Sequence, residues 1–350
     1  STGIDTITGD SGVDTITGGA GADVITGGAG ADVIAGGDGD DSFVYLLTAD
    51  LFTSQAKVDG SVAGNGGSGD QLTVGTSGTA FAIADNDAWT GITTVEKIVA
   101  VANSVAVTID LDVTAYAAGI RTVDISLADS GNNGSNIIDI SEFVGTDATT
   151  LTGADGSGSQ AITGGAGVDT ITGGTGVDTI IGGGAADVLV GNAGNDIFKY
   201  LATSVAALAT EVGSAVGSGQ TGEAITFVSG GDKLHFDSRL VNNGSDSDTL
   251  KVINKAGTVA DNDTFVHIAD TASGDSVHTL AGAVVVLNGL TTSTVAIGED
   301  VIFAMDNDTN TYLYMVAQLS SADTIAAQDV TFIGTLSGIT TVTNGDFVSF

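Results

Sequence analysis

Residues 18–44 read GGAGADVIT GGAGADVIA GGDGDDSFV. Each nine-residue unit opens on two glycines, with an aspartate at its sixth place and an apolar residue at its eighth. The phase runs upstream without a slip, so that Asp5, Asp14, Asp23, Asp32 and Asp41 stand nine residues apart, accompanied by Ile7, Ile16, Ile25, Ile34 and Phe43. A second block follows the same rule, with Asp169, Asp178, Asp187 and Asp196 beside Ile171, Ile180, Leu189 and Phe198. The unit before it, DGSGSQAIT, is degenerate and carries Gln160 where an aspartate is due. No Lys or Arg precedes Lys57, so the carboxylates of the first block have no base to neutralise them.

Each unit divides into a glycine-rich six-residue turn and a three-residue strand whose polar and apolar residues alternate. One apolar side chain per unit cannot form a core alone; stacked units put Ile on Ile inside a narrow parallel solenoid. With two units to a coil, aspartates on one edge lie 18 residues apart in sequence and one strand spacing, ~4.8 Å, apart in space. Two carboxylates at that distance repel by ~3.5 kcal/mol at an effective dielectric of 20. A hard divalent cation reverses the sign, and carbonyls freed by the glycine turns complete its oxygen shell. Calcium suits such a mixed shell better than magnesium, which demands a stricter octahedron and keeps its waters.

Composition narrows the partners. Eight Lys plus Arg stand against 43 Asp plus Glu, a formal net charge of −35, which argues against nucleic acid and against an anionic lipid surface. Hydrophobic residues make up 42% of the chain, enough for a core rather than a disordered acidic tail. With no Cys there are no disulfides or thiolate metal sites. No apolar run approaches the ~20 residues of a membrane helix. The amino end, STGIDTITG, lacks the features of a cleaved secretory signal and begins in mid-pattern, as expected of the carboxy-terminal part of a longer protein. HExxH, GxSxG and Walker-type motifs are absent, and His235, His267 and His278 read as strand-surface residues, so the expectation is a protein that is not an enzyme. Trp89 reads as a packing residue.

The repeat G-G-x-G-x-D-x-(apolar)-x resembles the repeats-in-toxin (RTX) family, whose units form a calcium-bound parallel β-roll. The resemblance implies an all-β fold and calcium as the bound ion. It also implies a ligand set in which one turn gives its aspartate and the carbonyls of its second and fourth places. The turn 18 residues later gives its aspartate and the carbonyls of its first and third places. Asp14 with Gly12 would then meet Asp32 with Gly27 and Ala29, and Asp23 with Gly19 and Gly21 would meet Asp41 with Gly36 and Asp38. Gly18 and Ala20 would stand opposite Asp5. In the second block Asp169 would pair with Asp187 and Asp178 with Asp196, through Gly165, Gly167, Gly174 and Gly176 on one side and Gly182, Gly184, Gly191 and Ala193 on the other. Two departures stand out: Gln160 weakens the site facing Asp178, and Ala185 replaces a turn glycine.

Outside the blocks the chain looks duplicated. Both blocks end in D-x-F-x-Y, a short helix-like stretch and G-D-(Q/K)-L. In the family such tails cap the roll and often add a cation, which makes Asp70 and Asp232 candidates. The expected divisions are a first roll at 1–44, a capping tail at 45–88, an irregular parallel β-helix at 89–163, a second roll at 164–199, a second tail at 200–240 and a β-rich carboxy-terminal domain at 241–350. The apolar landmarks of the irregular part are Ile98, Leu111, Ile125, Ile140, Leu151 and Ile162, with an antiparallel sandwich as the alternative. In the last domain DTFVHIAD, GAVVVLNGL, EDVIFAMDND, NTYLYMVAQL and DVTFIGTL read as strands, and MDNDTNTYLY as a hairpin. Asp306, Asp308 and Asn310 mimic the start of an EF-hand loop, but Thr311 stands where its glycine belongs.

The terminal GDFVSF resembles the family's uncleaved type I secretion signal. The Thr-, Ala- and Gly-rich composition resembles bacterial surface-layer proteins that carry RTX segments. Together these imply a secreted, cell-surface structural module that folds on extracellular calcium, associates with itself into a lattice and uses the type I secretion machinery. Two other hosts stay open: the secretion tail of an adhesin, and the tail of an exported hydrolase.

Overall fold

A computed structural model describes residues 2–30, 32–45, 61–65, 69–75, 80–84, 89, 91–100, 106–128, 135–202, 205–213, 222–228, 231–236, 250–254, 258–259, 265–269, 279–288, 291–292, 299–307, 309–319, 325–339, 342 and 346–349. The chain divides into two units, one formed by Ser1–Gly167 and Thr172–Val177, the other by Val168–Ile171 and Asp178–Phe350.

The first unit is a parallel solenoid. One wall stacks Thr6–Thr8, Val24–Thr26, Ser42–Tyr45, Gln71–Val74, Lys97–Ala100, Thr122–Asp124 and Thr150–Thr152 in that order. A second stacks Thr15–Ala20, Val33–Asp38, Ser61–Asn65 and Ile92–Thr93. A third stacks Phe81–Ile83, Val107–Asp110, Asn136–Asp139 and Gln160–Thr163. The eighth-place residues sit in register, Ile7 on Ile25 on Phe43 on Leu72, and Ile16 on Ile34. Ile25, Phe43 and Leu72 are fully buried, while their strand neighbours alternate outward. The alternation of period two thus becomes one continuous aliphatic column.

Three features of the first unit differ from the sequence reading. Thr15–Ala20 and Val33–Asp38 run six residues rather than three, because Gly19 pairs with Gly37 and Ala20 with Asp38 across what was expected to be turn. Between 89 and 163 the strands are parallel, but Leu111, Ile125 and Ile140 lie just past the strands at buried corners; the strand-centre residues are Ile109, Val123 and Ile138. A short helix, Val113–Ala118, interrupts this region. Asp112 caps it by accepting from the N–H groups of Thr114 and Ala115, and Gly119, at φ 118°, ends it.

The second unit stacks Thr179–Ile181, Ile197–Tyr200, Lys233–Phe236 and Phe347–Ser349 in one parallel set. Val188–Val190, Glu223–Thr226 and Val330–Ser337 form another. From Val330–Ser337 the sheet turns antiparallel through Thr311–Leu319 and Glu299–Asp306, then parallel again through Phe265–Ala269 and Leu250–Asn254. The helix-like stretch of the second tail is the helix Val205–Glu211; its counterpart in the first tail lies outside the described residues. GAVVVLNGL is not a strand: Leu280–Asn288 is helical, and Ala283, Val286 and Leu287 pack on the core at helical spacing. A short unbroken apolar run carries no period, and here burial on one side selected the helix.

MDNDTNTYLY is a hairpin, with Asp306 opposite Thr311. Asn307 Oδ1 accepts from the N–H groups of Thr309 and Asn310, Asp306 Oδ1 accepts from the Thr311 hydroxyl at 2.7 Å, and Asn310 Oδ1 accepts from Gly338 N–H. Asp306 Oδ1 is thus engaged within the hairpin and Asn310 Oδ1 by Gly338 beyond it; Asp308 lies outside the described residues. Trp89 is buried. His235 is half-buried in a strand, and burial, with Lys233 and Lys199 nearby, lowers its pKa. His278 and the His267 side chain lie outside the described residues. No described helix is long and apolar enough to cross a membrane.

Candidate metal centre

The sixth-place aspartates form ladders along the edge of the coils. Each accepts, through Oδ1, the main-chain N–H of the aspartate 18 residues earlier: Asp5 to Asp23 at 2.8 Å, Asp14 to Asp32 at 2.9 Å, Asp23 to Asp41 at 2.8 Å, Asp169 to Asp187 at 2.7 Å and Asp178 to Asp196 at 2.9 Å. The rule continues past the repeats. Asp41 N–H donates to Asp70 Oδ1 at 2.6 Å, Asp70 N–H to Glu96 Oε2 at 3.0 Å, and Asp196 N–H to Asp232 Oδ1 at 3.0 Å. Asp187 N–H donates likewise to the Glu223 carboxylate. The two tail candidates, Asp70 and Asp232, therefore stand in the same rows as the repeat aspartates. Glu96 and Glu223 were not anticipated: their signal is an acid two places before a buried apolar residue, Ile98 and Ile225, as each repeat aspartate stands before its own.

One oxygen of each carboxylate is thus anchored; the second is also engaged in Asp14, by Asp10 N–H at 3.0 Å, and in Asp232, by Val228 N–H at 2.8 Å, but in others it is left over. Oδ2 of Asp23, Asp41, Asp70, Asp187 and Asp196 and Oε2 of Glu223 are buried without a hydrogen-bond partner. Two ion pairs join described residues, Lys97–Asp124 and Arg121–Asp147, and neither involves a ladder carboxylate. An ionised oxygen buried without a partner is costly. Burial, with other acids close by, accordingly raises the pKa of Asp41, Asp70, Glu96 and Asp232, and lifts Asp187 to about 8 and Asp196 to about 6.

In the repeats the second carboxylate oxygen lies over the first-place glycine of its own unit. A Cβ on Gly18 would overlap Asp23 Oδ2 and come 2.5 Å from the Gly36 carbonyl oxygen. A Cβ on Gly9 would overlap the Gly27 carbonyl oxygen and come 2.6 Å from Asp14 Oδ2. Gly27, Gly36, Gly182 and Gly191 are closed in the same way by Oδ2 of Asp32, Asp41, Asp187 and Asp196. The carbonyls of Gly12, Gly19 and Gly21 face the next coil, against Gly30, Gly37 and Gly39. Aspartate oxygen and first-place carbonyl thus share one concavity at Gly9 and at Gly18. The donors are all oxygen, mixed carboxylate and carbonyl, the chemistry of a calcium shell.

The remaining candidates are placed as follows. Ala29 N–H donates to the Asp10 carbonyl, Ala20 lies in a strand opposite Asp38, Asp38 and Ala193 are exposed, and Gly184 is half-buried. A Cβ on Gly165 would meet Phe143, on Gly167 the Asp147 carbonyl, on Gly174 the Ala154 carbonyl and on Gly176 the Gly158 carbonyl. Among the described residues no three His, Cys, Asp or Glu side chains are arranged to hold a metal by themselves. Any ion here would depend on main-chain carbonyls. In the irregular part of the first unit an amide holds the ladder position instead: Asn136 Oδ1 accepts from Val107 N–H at 2.8 Å, and its register partner is Gln160.

Comparison with known proteins bears on the same stretches. The family model for the RTX calcium-binding nonapeptide repeat, itself four copies long, matches residues 1–34, 8–43 and 163–198. No curated protein matches the chain. The matched segments contain the repeat aspartates and stop short of Asp70, Glu96, Glu223 and Asp232. Two blocks of stacked, glycine-turned aspartates in a strand-rich solenoid identify this as a chain carrying RTX calcium-binding nonapeptide repeats in a parallel β-roll.

Proposed function

We propose that the chain is a calcium-dependent structural module of an exported bacterial protein, without catalytic activity, and that its host is a surface-layer lattice protein carrying a type I secretion signal. The observation that carries the calcium reading is the spare carboxylate oxygen, buried over a first-place glycine and joined by neither ion pair seen among the described residues. In low calcium the carboxylates of each row repel one another and oppose collapse; at extracellular calcium of roughly 10⁻⁴–10⁻³ M the ion closes each step and adds its binding free energy to folding. Asp14 with Asp32, Asp23 with Asp41, Asp169 with Asp187 and Asp178 with Asp196 would hold the ions, helped by first-place carbonyls. The lattice reading is supported by the acidic, Cys-free composition and by the exposed valines Val24, Val33, Val168, Val177 and Val188 beside the rows.

Circular dichroism of the chelated protein, titrated with calcium, tests the first part: β signal and thermal midpoint should rise together. Unchanged spectra and midpoint would overturn it. Electron microscopy of the calcium-loaded protein tests the second: ordered two-dimensional sheets are expected, and persistent monomers would sink the lattice reading while leaving the calcium reading intact.

A further inference from the structure

The second unit buries an acidic group that the nonapeptide pattern does not contain. Asp187 is 1% exposed, Glu223 2% and Tyr200 3%. Asp187 belongs to the repeat, but Glu223 lies in the strand Glu223–Thr226, which pairs with Val188–Val190, and Tyr200 ends the strand Ile197–Tyr200. Each carries a buried polar atom without a partner: Asp187 Oδ2, Glu223 Oε2 and the Tyr200 hydroxyl. Asp187 and Glu223 are neighbours by register, since Val188 pairs with Ala224 and Ala224 N–H donates to the Asp187 carbonyl at 2.8 Å, and the Tyr200 hydroxyl lies within reach of their charge.

Glu211, from the helix Val205–Glu211, closes the group. Its two oxygens accept from Leu201 N–H at 2.7 Å and Ala202 N–H at 2.8 Å, so it contributes charge while its own hydrogen bonds are made. Asp169 adds a further negative charge from the preceding coil. Lys199, adjacent to Tyr200 in a strand of alternating burial, lies on the opposite, half-buried face. Neither ion pair found among the described residues involves these acids.

We infer that Asp187 Oδ2 and Glu223 Oε2 together hold a hard divalent cation, of the calcium class, in a site lying one coil beyond the last matched step of that row. The ion would be completed by main-chain oxygen or water, with the Tyr200 hydroxyl within reach of its charge. The inference rests on the calcium reading above and extends it to residues outside the repeat. It gives the capping tail a purpose: Glu223 would not simply end the stack but tie it to the roll through a shared ion. The rival occupant is a proton, shared between Asp187 and Glu223, and the two differ in what Glu223→Gln does.

The test uses the full chain. Bound calcium is counted by elemental analysis after dialysis against limiting calcium, for wild type, Glu223→Gln and Tyr200→Phe. Glu223→Gln should lose one ion per chain and keep the rest. Terbium emission excited through tyrosine should fall in Tyr200→Phe while the calcium count holds, a readout that does not depend on how well the glutamine variant folds. An unchanged count in Glu223→Gln, with a higher thermal midpoint in chelator, would assign the proton and overturn the site. Unchanged terbium emission in Tyr200→Phe would overturn it as well. A wild-type chain that binds no calcium at all would instead fail the underlying reading.

Discussion

Asp23 Oδ2 and the Gly36 carbonyl oxygen both lie where a side chain on Gly18 would begin. The relationship spans two coils, because Asp23 and Gly18 belong to one repeat and Gly36 to the repeat 18 residues on. It gives the first-place glycine a role separate from turn formation. Gly18, unlike Gly19 and Gly21, is not in the left-handed region. What it supplies is room, for an oxygen now and for a cation between oxygens when calcium binds.

A methyl group should therefore remove the site. Gly18→Ala places its Cβ against Asp23 Oδ2 and the Gly36 carbonyl, and the main-chain oxygen cannot swing away. The expected result is a cost of ~1–3 kcal/mol from overpacking and weaker calcium binding in the first block. Gly3→Ala is the control, since a Cβ there meets nothing within 4 Å. Equal calcium isotherms for the two variants would show that the space over Gly18 is not a site.

The ladder also predicts an exchange that separates fold from ion. Asp23 Oδ1 accepts from Asp5 N–H, and an asparagine keeps that bond. Its Nδ2 would stand where Oδ2 stands, facing the Gly36 carbonyl, to which it can donate. Asn136 already makes the accepting half of such an arrangement, from Val107 N–H, with its Nδ2 left without a partner. Asp23→Asn should raise the thermal midpoint in chelator relative to wild type and reduce the shift that calcium produces. A variant that melts lower than wild type in chelator would mean that the spare oxygen carries no penalty in the calcium-free fold.

The period of nine and the two apolar-acid phases made the roll legible, because each unit repeats its own register and the structure only has to stack them. The rows beyond the repeats were less visible. Asp41 to Asp70 spans 29 residues and Asp70 to Glu96 spans 26, so no fixed spacing marks them. Asp70 was reachable through its G-D-Q-L context, whereas Glu96, in TTVEKIVAV, resembles any charged residue on a strand. The helix at Leu280–Asn288 was misread because three consecutive valines favour a strand locally, and tertiary packing of Ala283, Val286 and Leu287 overrides that preference. The helix Val113–Ala118 had its signals, Asp112 before and Gly119 after, but six residues are too few for a period to show.

Ala185 marks a place where the repeat is strained. It stands fourth in its unit, the place held by glycine in its neighbours, and adopts φ 75°. The left-handed region costs an L-residue roughly 1–2 kcal/mol, partly offset by the lower unfolded-state entropy of alanine. Ala185→Gly should stabilise the chain by about 0.5–1 kcal/mol, read as a higher urea midpoint with an unchanged slope. Asn192, at φ 71°, is the comparison: asparagine tolerates that region, so Asn192→Gly should gain less. Equal gains at both positions would mean that Ala185 is relieved by something other than its backbone.

The pH dependence should reverse with calcium. In the metal-free fold Asp187 is lifted from 3.8 to about 8, by burial and then by the charges of Asp169 and Glu211, while Asp196 is lifted to about 6, by burial and then by Asp178 and Asp232. A carboxyl whose pKa is raised by folding favours the folded state in its protonated form. That contribution is complete below the unfolded value and is lost as pH climbs through the folded one. The chelated chain should therefore be more stable at pH 5 than at pH 8, with Asp196 losing its share near 6 and Asp187 near 8. With saturating calcium the ions require deprotonated ligands, so acidification should release them and lower the midpoint. Melting curves at pH 5 and pH 8, in chelator and in calcium, test both signs at once. A chelated midpoint that rises from pH 5 to pH 8 would contradict buried, unmatched carboxylates as the source of calcium dependence.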